Sequence, residues 1–211
     1  MIKNQEVIKY YDKMAKKIKR QDETRNKSKD FSKYDITLMK NISDIDKSLL
    51  DLGAGTGLLI NNLINDFKKI VAIEKYPEFS KFIIKSPNLK VINTDLLELE
   101  IDDNFDYVSL FGVMNYFNRE EASIIYKKAF SFLKNNGKLI VKHQMGIHKD
   151  VVINGFSEEL QTDYYSEYRW IEKEIVLLKD IGFKAIEIID IYPEEYNRWD
   201  NTHFYALVCQ K

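Results

Sequence analysis

Apolar positions in the first part of the chain recur with the period of a helix. Four of them lie on one face of a single amphipathic helix: Val7, Tyr11, Met14 and Ile18. A polar stretch, 21–33, interrupts this pattern, and a second short helix is predicted over 34–42. We therefore expect residues 1–45 to form an N-terminal helical cap on whatever follows.

Beyond residue 45 the pattern changes to short apolar runs that alternate with helical patterns. The runs predict strands at 48–52, 70–73, 90–92, 107–111 and 138–141. The segments between them predict helices at 58–67, 78–85 and 120–133. Strands that alternate with helices of this length form a parallel sheet built from βαβ units.

The C-terminal part predicts a different ending to that sheet. A last helix, 168–181, stops at Gly182, and two strand-like runs follow at 185–191 and 203–209. No helix lies between these runs, so they should form an antiparallel hairpin. The expected fold is α/β, with a doubly wound, mainly parallel seven-stranded sheet, a C-terminal antiparallel hairpin and N-terminal helices.

This outline fits one domain of 211 residues with four parts. The N-terminal cap is followed by a cofactor-binding core over 46–143, an insertion on the acceptor side over 144–170, and the last helix and hairpin over 171–211. The composition, 45% hydrophobic and 31% charged, is typical of a globular protein.

The charge balance limits the classes of partner that we expect, and the cysteine content limits the cellular compartment. Lys and Arg number 32 against 33 Asp and Glu, so no overall charge draws the chain to nucleic acid or to a membrane surface. No apolar run approaches the roughly 20 residues that cross a bilayer. Cys209 is the only cysteine, which excludes an internal disulfide and favours a cytoplasmic location. The sequence leaves the oligomeric state open.

A glycine-rich loop, residues 51–57, lies between the first strand and the segment after it. It reads Asp-Leu-Gly-Ala-Gly-Thr-Gly, and glycines there permit a sharp turn and a close approach of backbone N–H groups to a ligand. The second strand ends in Glu74, placed to accept hydrogen bonds from a ribose diol, and the third is followed by Asp95, placed to accept from an adenine amine. Ligands of such sheets bind across the carboxyl ends of the strands, so these groups should face one crevice.

With these residues the chain resembles the class I S-adenosylmethionine-dependent methyltransferases. Residues 105–112 are similar to that family's fourth-strand motif, 137–141 to its fifth strand, and Tyr10-Tyr11-Asp12 to an N-terminal signature whose helix closes over the cofactor. The resemblance implies S-adenosylmethionine as cofactor. It also implies a set of cofactor-binding residues: Tyr11, Asp51, Gly53, Ala54, Gly55, Gly57, Glu74, Lys75, Asp95, Leu96 and Phe111.

A nicotinamide-dependent dehydrogenase is the rival interpretation of the glycine loop. Its fingerprint requires a glycine three positions after the second one, and Leu58 stands there. S-adenosylmethionine has no diphosphate to bind, so the missing glycine matters less for a methyltransferase.

The candidate catalytic group is His143, which follows the fifth strand and could serve as a base. The acceptor is expected to contact the insertion and the terminal hairpin, through Tyr164, Tyr165, Arg169 and His203, the last also a second candidate base. The three histidines lack the spacing of metal ligands, and we expect no metal.

A small molecule is the expected acceptor. The loop after the fourth strand lacks the Pro-Pro-aromatic motif of DNA amino-methyltransferases, and no extra docking module is visible. The chain is similar to bacterial methyltransferases that modify surface polysaccharides and their phosphorylated precursors. We prefer a hydroxyl as the target, because a histidine is available to act as its base. N-methylation of a small amine or a protein, and a catalytically silent cofactor-binding scaffold, are the alternatives.

Overall fold

The computed structural model describes residues 5–24, 32–157, 162–197 and 199–211. Nine strands occur in these ranges, and their bounds are as follows: β1 Asp44–Leu52, β2 Phe67–Ile73, β3 Leu89–Ile92, β4 Phe105–Phe111, β5 Leu133–Gly146, β6 Val151–Ser157, β7 Thr162–Tyr168, β8 Ile186–Asp190 and β9 Thr202–Gln210. Five α-helices accompany them: α1 Gln5–Lys17, α2 Ser32–Ile42, α3 Pro77–Ser80, α4 Arg119–Phe132 and α5 Ile171–Ile181. Short 3-10 helices lie at Gln21–Thr24, Ile60–Asn62, Met114–Tyr116 and Glu194–Tyr196.

Seven strands form one sheet in the order β3-β2-β1-β4-β5-β9-β8. The first five are parallel, and β9 runs antiparallel to both of its neighbours, β5 and β8. This arrangement confirms the predicted fold class, including the terminal antiparallel pair.

The sheet is covered on both faces because successive residues of each strand point to opposite sides. Leu50, for example, packs with α4 and α5, whereas its neighbour Leu49 packs with α2 and the turns after β1. Two buried faces explain why the strands read as continuous apolar runs rather than as alternating ones.

The predicted helix at 58–67 is wrong. Those residues form turns around the 3-10 helix Ile60–Asn62, closed by bonds such as Leu63 N–H to the Ile60 carbonyl at 2.9 Å. The Asn62 side chain donates to the Leu58 carbonyl at 2.9 Å. Such side-chain to backbone hydrogen bonds compete with regular helix.

The predicted helix at 78–85 is mostly wrong for a related reason, since α3 stops at Ser80. The Asn61 amide donates to the Phe82 carbonyl at 3.0 Å and its oxygen accepts from the Ile84 N–H at 2.9 Å. These backbone groups are thereby diverted from helical bonding. The same contact joins the turns after β1 to the turns after β2, on the rim of the predicted site.

The predicted insertion, 144–170, contains strands. β5 itself continues to Gly146, paired with β9 along its whole extension. β6 and β7 then form a separate two-stranded antiparallel sheet, in which Val151 pairs with Tyr168. In the part of the chain that the structure describes, no helix combines the length and the apolar character that a membrane span requires.

Candidate active site

The loop after β1 adopts backbone conformations that favour glycine. Gly53, Gly55 and Gly57 have φ of 83°, 56° and 78°. The N–H groups of Gly53 and Ala54 both donate to the Ile73 carbonyl at the end of β2, at 2.9 and 2.8 Å. A Cβ added to Gly55 would meet nothing within 4 Å, so this position faces open space in a crevice. A Cβ at Gly57 would come within 2.7 Å of Ile83, so this glycine serves packing and does not line the crevice.

Glu74 fixes the shape of this loop. One carboxylate oxygen accepts the Gly55 N–H at 2.8 Å and the other accepts the Tyr76 N–H at 2.9 Å. Burial raises the pKa of Glu74, and these backbone hydrogen bonds oppose the rise. The carboxylate thus joins the glycine loop to the end of β2.

Asp51 lies one strand pair away, buried at the floor of the crevice. The sheet register places it beside Ser109 of β4, whose hydroxyl donates to it at 2.6 Å. Burial raises the pKa of Asp51 to about 7, while the Ser109 hydrogen bond lowers it and the charge of Glu74 raises it. Near neutral pH this carboxyl group is therefore divided between its two protonation states.

Asp95 stands at the third strand end. It accepts the Leu97 N–H at 2.9 Å and forms a 3.0 Å ion pair with the Lys75 ammonium. Asp51, Glu74 and Asp95 all line one crevice of about 390 Å³, a size typical of small-molecule sites. Other predicted cofactor-binding residues line it too: Tyr11, Gly53, Ala54, Gly55, Lys75, Leu96 and Phe111.

Aromatic side chains cover one side of this crevice. The Tyr11 hydroxyl on α1 donates to the Tyr116 hydroxyl at 2.7 Å. The Tyr11 ring also lies 6.5 Å from the Tyr76 ring and 6.1 Å from the Phe79 ring, centroid to centroid. The N-terminal helix therefore contacts both the turn after β2 and the loop after β4.

His143 lines the crevice from β5 and is only 1% exposed. Neither of its ring nitrogens has a hydrogen-bond partner among the residues that the structure describes. Burial lowers the pKa of His143 to about 3, and the nearby Glu174 carboxylate only partly opposes this effect. The imidazole is therefore uncharged at neutral pH.

Two of the predicted acceptor-binding residues, Tyr165 and Arg169, do not line the crevice. Arg169 binds Glu174 through Nε and Nη2 at 2.7 and 2.9 Å and does not line the crevice, because its guanidinium is committed to that buried carboxylate. Tyr165 is buried and donates to Glu167, and it does not line the crevice either. The Tyr164 side chain lies outside the described residues.

His203, the second candidate base, also lies away from the crevice lining. Its Nε2 is 2.6 Å from an Asp190 carboxylate oxygen and its Nδ1 is 2.9 Å from the Asn197 amide nitrogen. Both ring nitrogens thus contact residues of β8 and of the connection between β8 and β9. Among the described residues, no three His, Cys, Asp or Glu side chains are grouped closely enough to hold a metal ion.

Sequence reasoning missed a pair of buried charges on the face of the sheet opposite to His143. Lys142, 5% exposed in its side chain, forms a 3.0 Å ion pair with Asp35 of α2, which is 1% exposed. The Tyr192 hydroxyl donates to the same carboxylate, and both Lys142 and Tyr192 line the crevice. The sequence signal that could have revealed this pair is a lysine directly before His143, at the end of a buried strand.

Sequence comparison finds similarity between this chain and known methyltransferases. Residues 49–137 match the family described as a methyltransferase domain. An uncharacterized methyltransferase of Staphylococcus carnosus is 25% identical over 163 residues, covering 72% of this chain and 77% of that protein.

Solved structures share the fold at lower identity. The N-methyltransferase NodS from Bradyrhizobium japonicum, in complex with S-adenosylhomocysteine, superimposes with a TM-score of 0.70 at 13% identity, over 96% of this chain and 98% of that one. The 1,6-didemethyltoxoflavin-N1-methyltransferase of Burkholderia thailandensis, with its substrate and S-adenosylhomocysteine bound, gives 0.69 at 13% identity, over 97% and 84%.

Proposed function

We propose that this chain, a class I S-adenosylmethionine-dependent methyltransferase, methylates an uncharged nitrogen of a small molecule that binds beside His143. The transfer of a methyl group from S-adenosylmethionine is its reaction. The nature of the acceptor is our proposal. It is carried by the uncharged imidazole at the crevice wall, which has no hydrogen-bond partner among the described residues.

The shape of the crevice and its hydrogen-bond acceptors fit the cofactor. Open space at Gly55 admits the ligand against the backbone, and Glu74 and Asp95 offer carboxylates for a ribose diol and an adenine amine. When bound, the sulfonium supplies an activated methyl carbon. The protein then has to bind and orient the acceptor, and the aromatic cover from Tyr11 and Tyr116 excludes water.

The state of His143 favours a nitrogen acceptor over the hydroxyl that the sequence favoured. An alcohol needs a base to take its proton, and an imidazole whose pKa is about 3 holds that proton poorly at neutral pH. An uncharged amine carries its own lone pair and needs only orientation. His143 can supply this by a hydrogen bond to an amine N–H. Both solved neighbours described above are N-methyltransferases by name, which supports the same choice.

Methylation of a hydroxyl on a sugar or a phosphorylated precursor is the second candidate. The observation in its favour is the buried Lys142 ammonium on the other wall of the crevice, which would attract an acidic acceptor. The two candidates differ in the atom that gains the methyl group.

Incubation with a bacterial metabolite extract and methyl-labelled S-adenosylmethionine separates them. We expect a labelled product whose new methyl is bound to nitrogen, identified by mass spectrometry and NMR. With that acceptor, kcat/KM should rise with pH as the fraction of uncharged amine rises, without a break from His143 above about pH 5. A methyl ether as the sole product would refute the proposal.

His143→Ala should lower kcat about tenfold while leaving cofactor affinity unchanged, because one orienting hydrogen bond is lost. His148→Ala, in an exposed turn, is the matched control. A loss of a hundredfold or more, confined to kcat, would identify His143 as a base and reinstate the hydroxyl acceptor.

Glu74→Ala should weaken S-adenosylmethionine binding by about 1–3 kcal/mol, roughly fivefold to 150-fold. The variant removes the predicted ribose contact and leaves the N–H groups of Gly55 and Tyr76 without their carboxylate. Calorimetric titration measures this, with the exposed Glu78→Ala as control. Equal affinity in the two variants would exclude Glu74 from the cofactor site.

A further inference from the structure

We infer that Glu174 is a positioning residue that holds the ring proton of His143 on Nε2 and so directs the Nδ1 lone pair to the acceptor. This inference rests on the proposed function, because it assigns a role within the same crevice. It concerns a residue of α5 that does not itself line the crevice.

Glu174 is the only carboxylate paired with His143 in the described ranges. Its Oε1 lies 3.9 Å from His143 Nε2, and both side chains are 1% exposed. That distance is longer than a hydrogen bond, and no other group supplies either ring nitrogen with a partner among the described residues. The position of the ring proton is therefore decided by the charges around the imidazole.

The charge on Glu174 is secured by its own neighbours. Burial alone would raise the pKa of Glu174, but the charge and the paired hydrogen bonds of Arg169 outweigh it and hold the value at about 2. The Tyr126 hydroxyl donates to the same Oε1. An ionised carboxylate in a buried setting attracts the N–H end of the imidazole dipole and repels a lone pair.

Two cations in the described part of the chain also affect the pKa of His143, namely Arg169 beside Glu174 and Lys142, the neighbour of His143 on β5. Lys142 Nζ pairs with Asp35 on the opposite face of the sheet. Arg169 is bound to Glu174 itself. The carboxylate oxygen that faces Nε2 is thus the local negative charge, and it selects the Nε2–H tautomer.

Arg169 also joins Glu174 to the loop after β4. Its Nη1 donates to the carbonyls of Met114 and Phe117, at 3.0 and 2.8 Å. These residues bracket the loop after β4, where Asn115, Tyr116 and Phe117 line the crevice. One buried carboxylate therefore lies beside the imidazole and, through Arg169, is joined to the loop after β4.

The test is nitrogen-15 NMR of the histidine rings in the full chain labelled with ¹⁵N-histidine, without any acceptor. His143 should show a protonated Nε2 and an unprotonated Nδ1 in the wild type. Glu174→Gln should shift its signals toward a mixture of tautomers, while the signals of His148 and His203 stay unchanged. Tyr126→Phe, which leaves the carboxylate charged, should keep the Nε2–H form.

An Nδ1–H tautomer in the wild type overturns the inference even if Glu174→Gln fails to fold. Unchanged His143 signals in a folded Glu174→Gln variant overturn it as well. Because this readout needs no acceptor, it stands apart from the failure of the proposed amine methylation. With an amine acceptor, folded Glu174→Gln should lower kcat about tenfold at unchanged cofactor affinity.

Discussion

Asp35→Ala is expected to destabilise the fold by about 3–5 kcal/mol, because it removes the carboxylate partner of a buried ammonium. Lys142 and Asp35 are 5% and 1% exposed in their side chains and lie 3.0 Å apart. For a protein of this size the change corresponds to a melting temperature about 6–20 °C lower. Chemical denaturation followed by circular dichroism measures the loss.

The double variant Asp35→Ala/Lys142→Met is the control for this prediction. Replacing both charges by apolar side chains removes the uncompensated ammonium, so most of the lost stability should return. Since Lys142 and Tyr192 line the crevice, the double variant also reports whether the ammonium contributes to acceptor binding. A single variant within about 1 kcal/mol of the wild type would mean that the pair contributes no more than a surface ion pair.

Cofactor affinity is expected to rise with pH up to about tenfold per unit between pH 5 and 7, because of Asp51. Burial holds the pKa of this carboxyl at about 7 in the protein alone, against an ordinary value of 3.8. Asp51 lines the crevice, so the positive charges of S-adenosylmethionine should lower its pKa on binding. Binding then releases a proton, and affinity increases as pH rises toward that value.

The stability of the ligand-free protein is expected to depend on pH in the opposite direction from cofactor affinity. A raised pKa means that the stability associated with neutral Asp51, complete below about pH 4, is lost as pH rises through about 7 in the ligand-free protein. Asp51→Asn should abolish most of both pH dependences. Calorimetry across pH 5–8 and denaturation without ligand check them. An affinity in the wild type that is as independent of pH as in the variant would contradict the assignment.

The strands were predictable because their signal is local. Runs such as 70–73 and 107–111 are apolar on both faces, which only a doubly covered sheet requires. The absence of a helix at 58–67 was not predictable from the apolar spacing, because it involves the Asn62 side chain, which donates to the Leu58 carbonyl. The shortening of α3 depends on Asn61, whose partners are some twenty residues away.

The candidate site likewise contains residues that the local pattern predicts and residues that it does not. Asp51, Glu74 and Asp95 could be grouped from sequence because strand ends of a parallel sheet share one edge. Arg169 was chosen for its charge and its place in the insertion. Its direction depends on Glu174, five residues later on the buried face of α5. Glu174 itself reads as an ordinary acid in the first turn of a helix, so nothing in the sequence marks its contact with His143.

The alternation of β5 has a consequence for how this protein can change. Lys142 and His143 are adjacent, so the cation faces α2 while the imidazole faces Glu174. Deletion or insertion of one residue earlier in β5 would turn both side chains to the opposite faces of the sheet and separate the Lys142 ammonium from Asp35. The length of this strand up to His143 is therefore as fixed as the identity of the two residues.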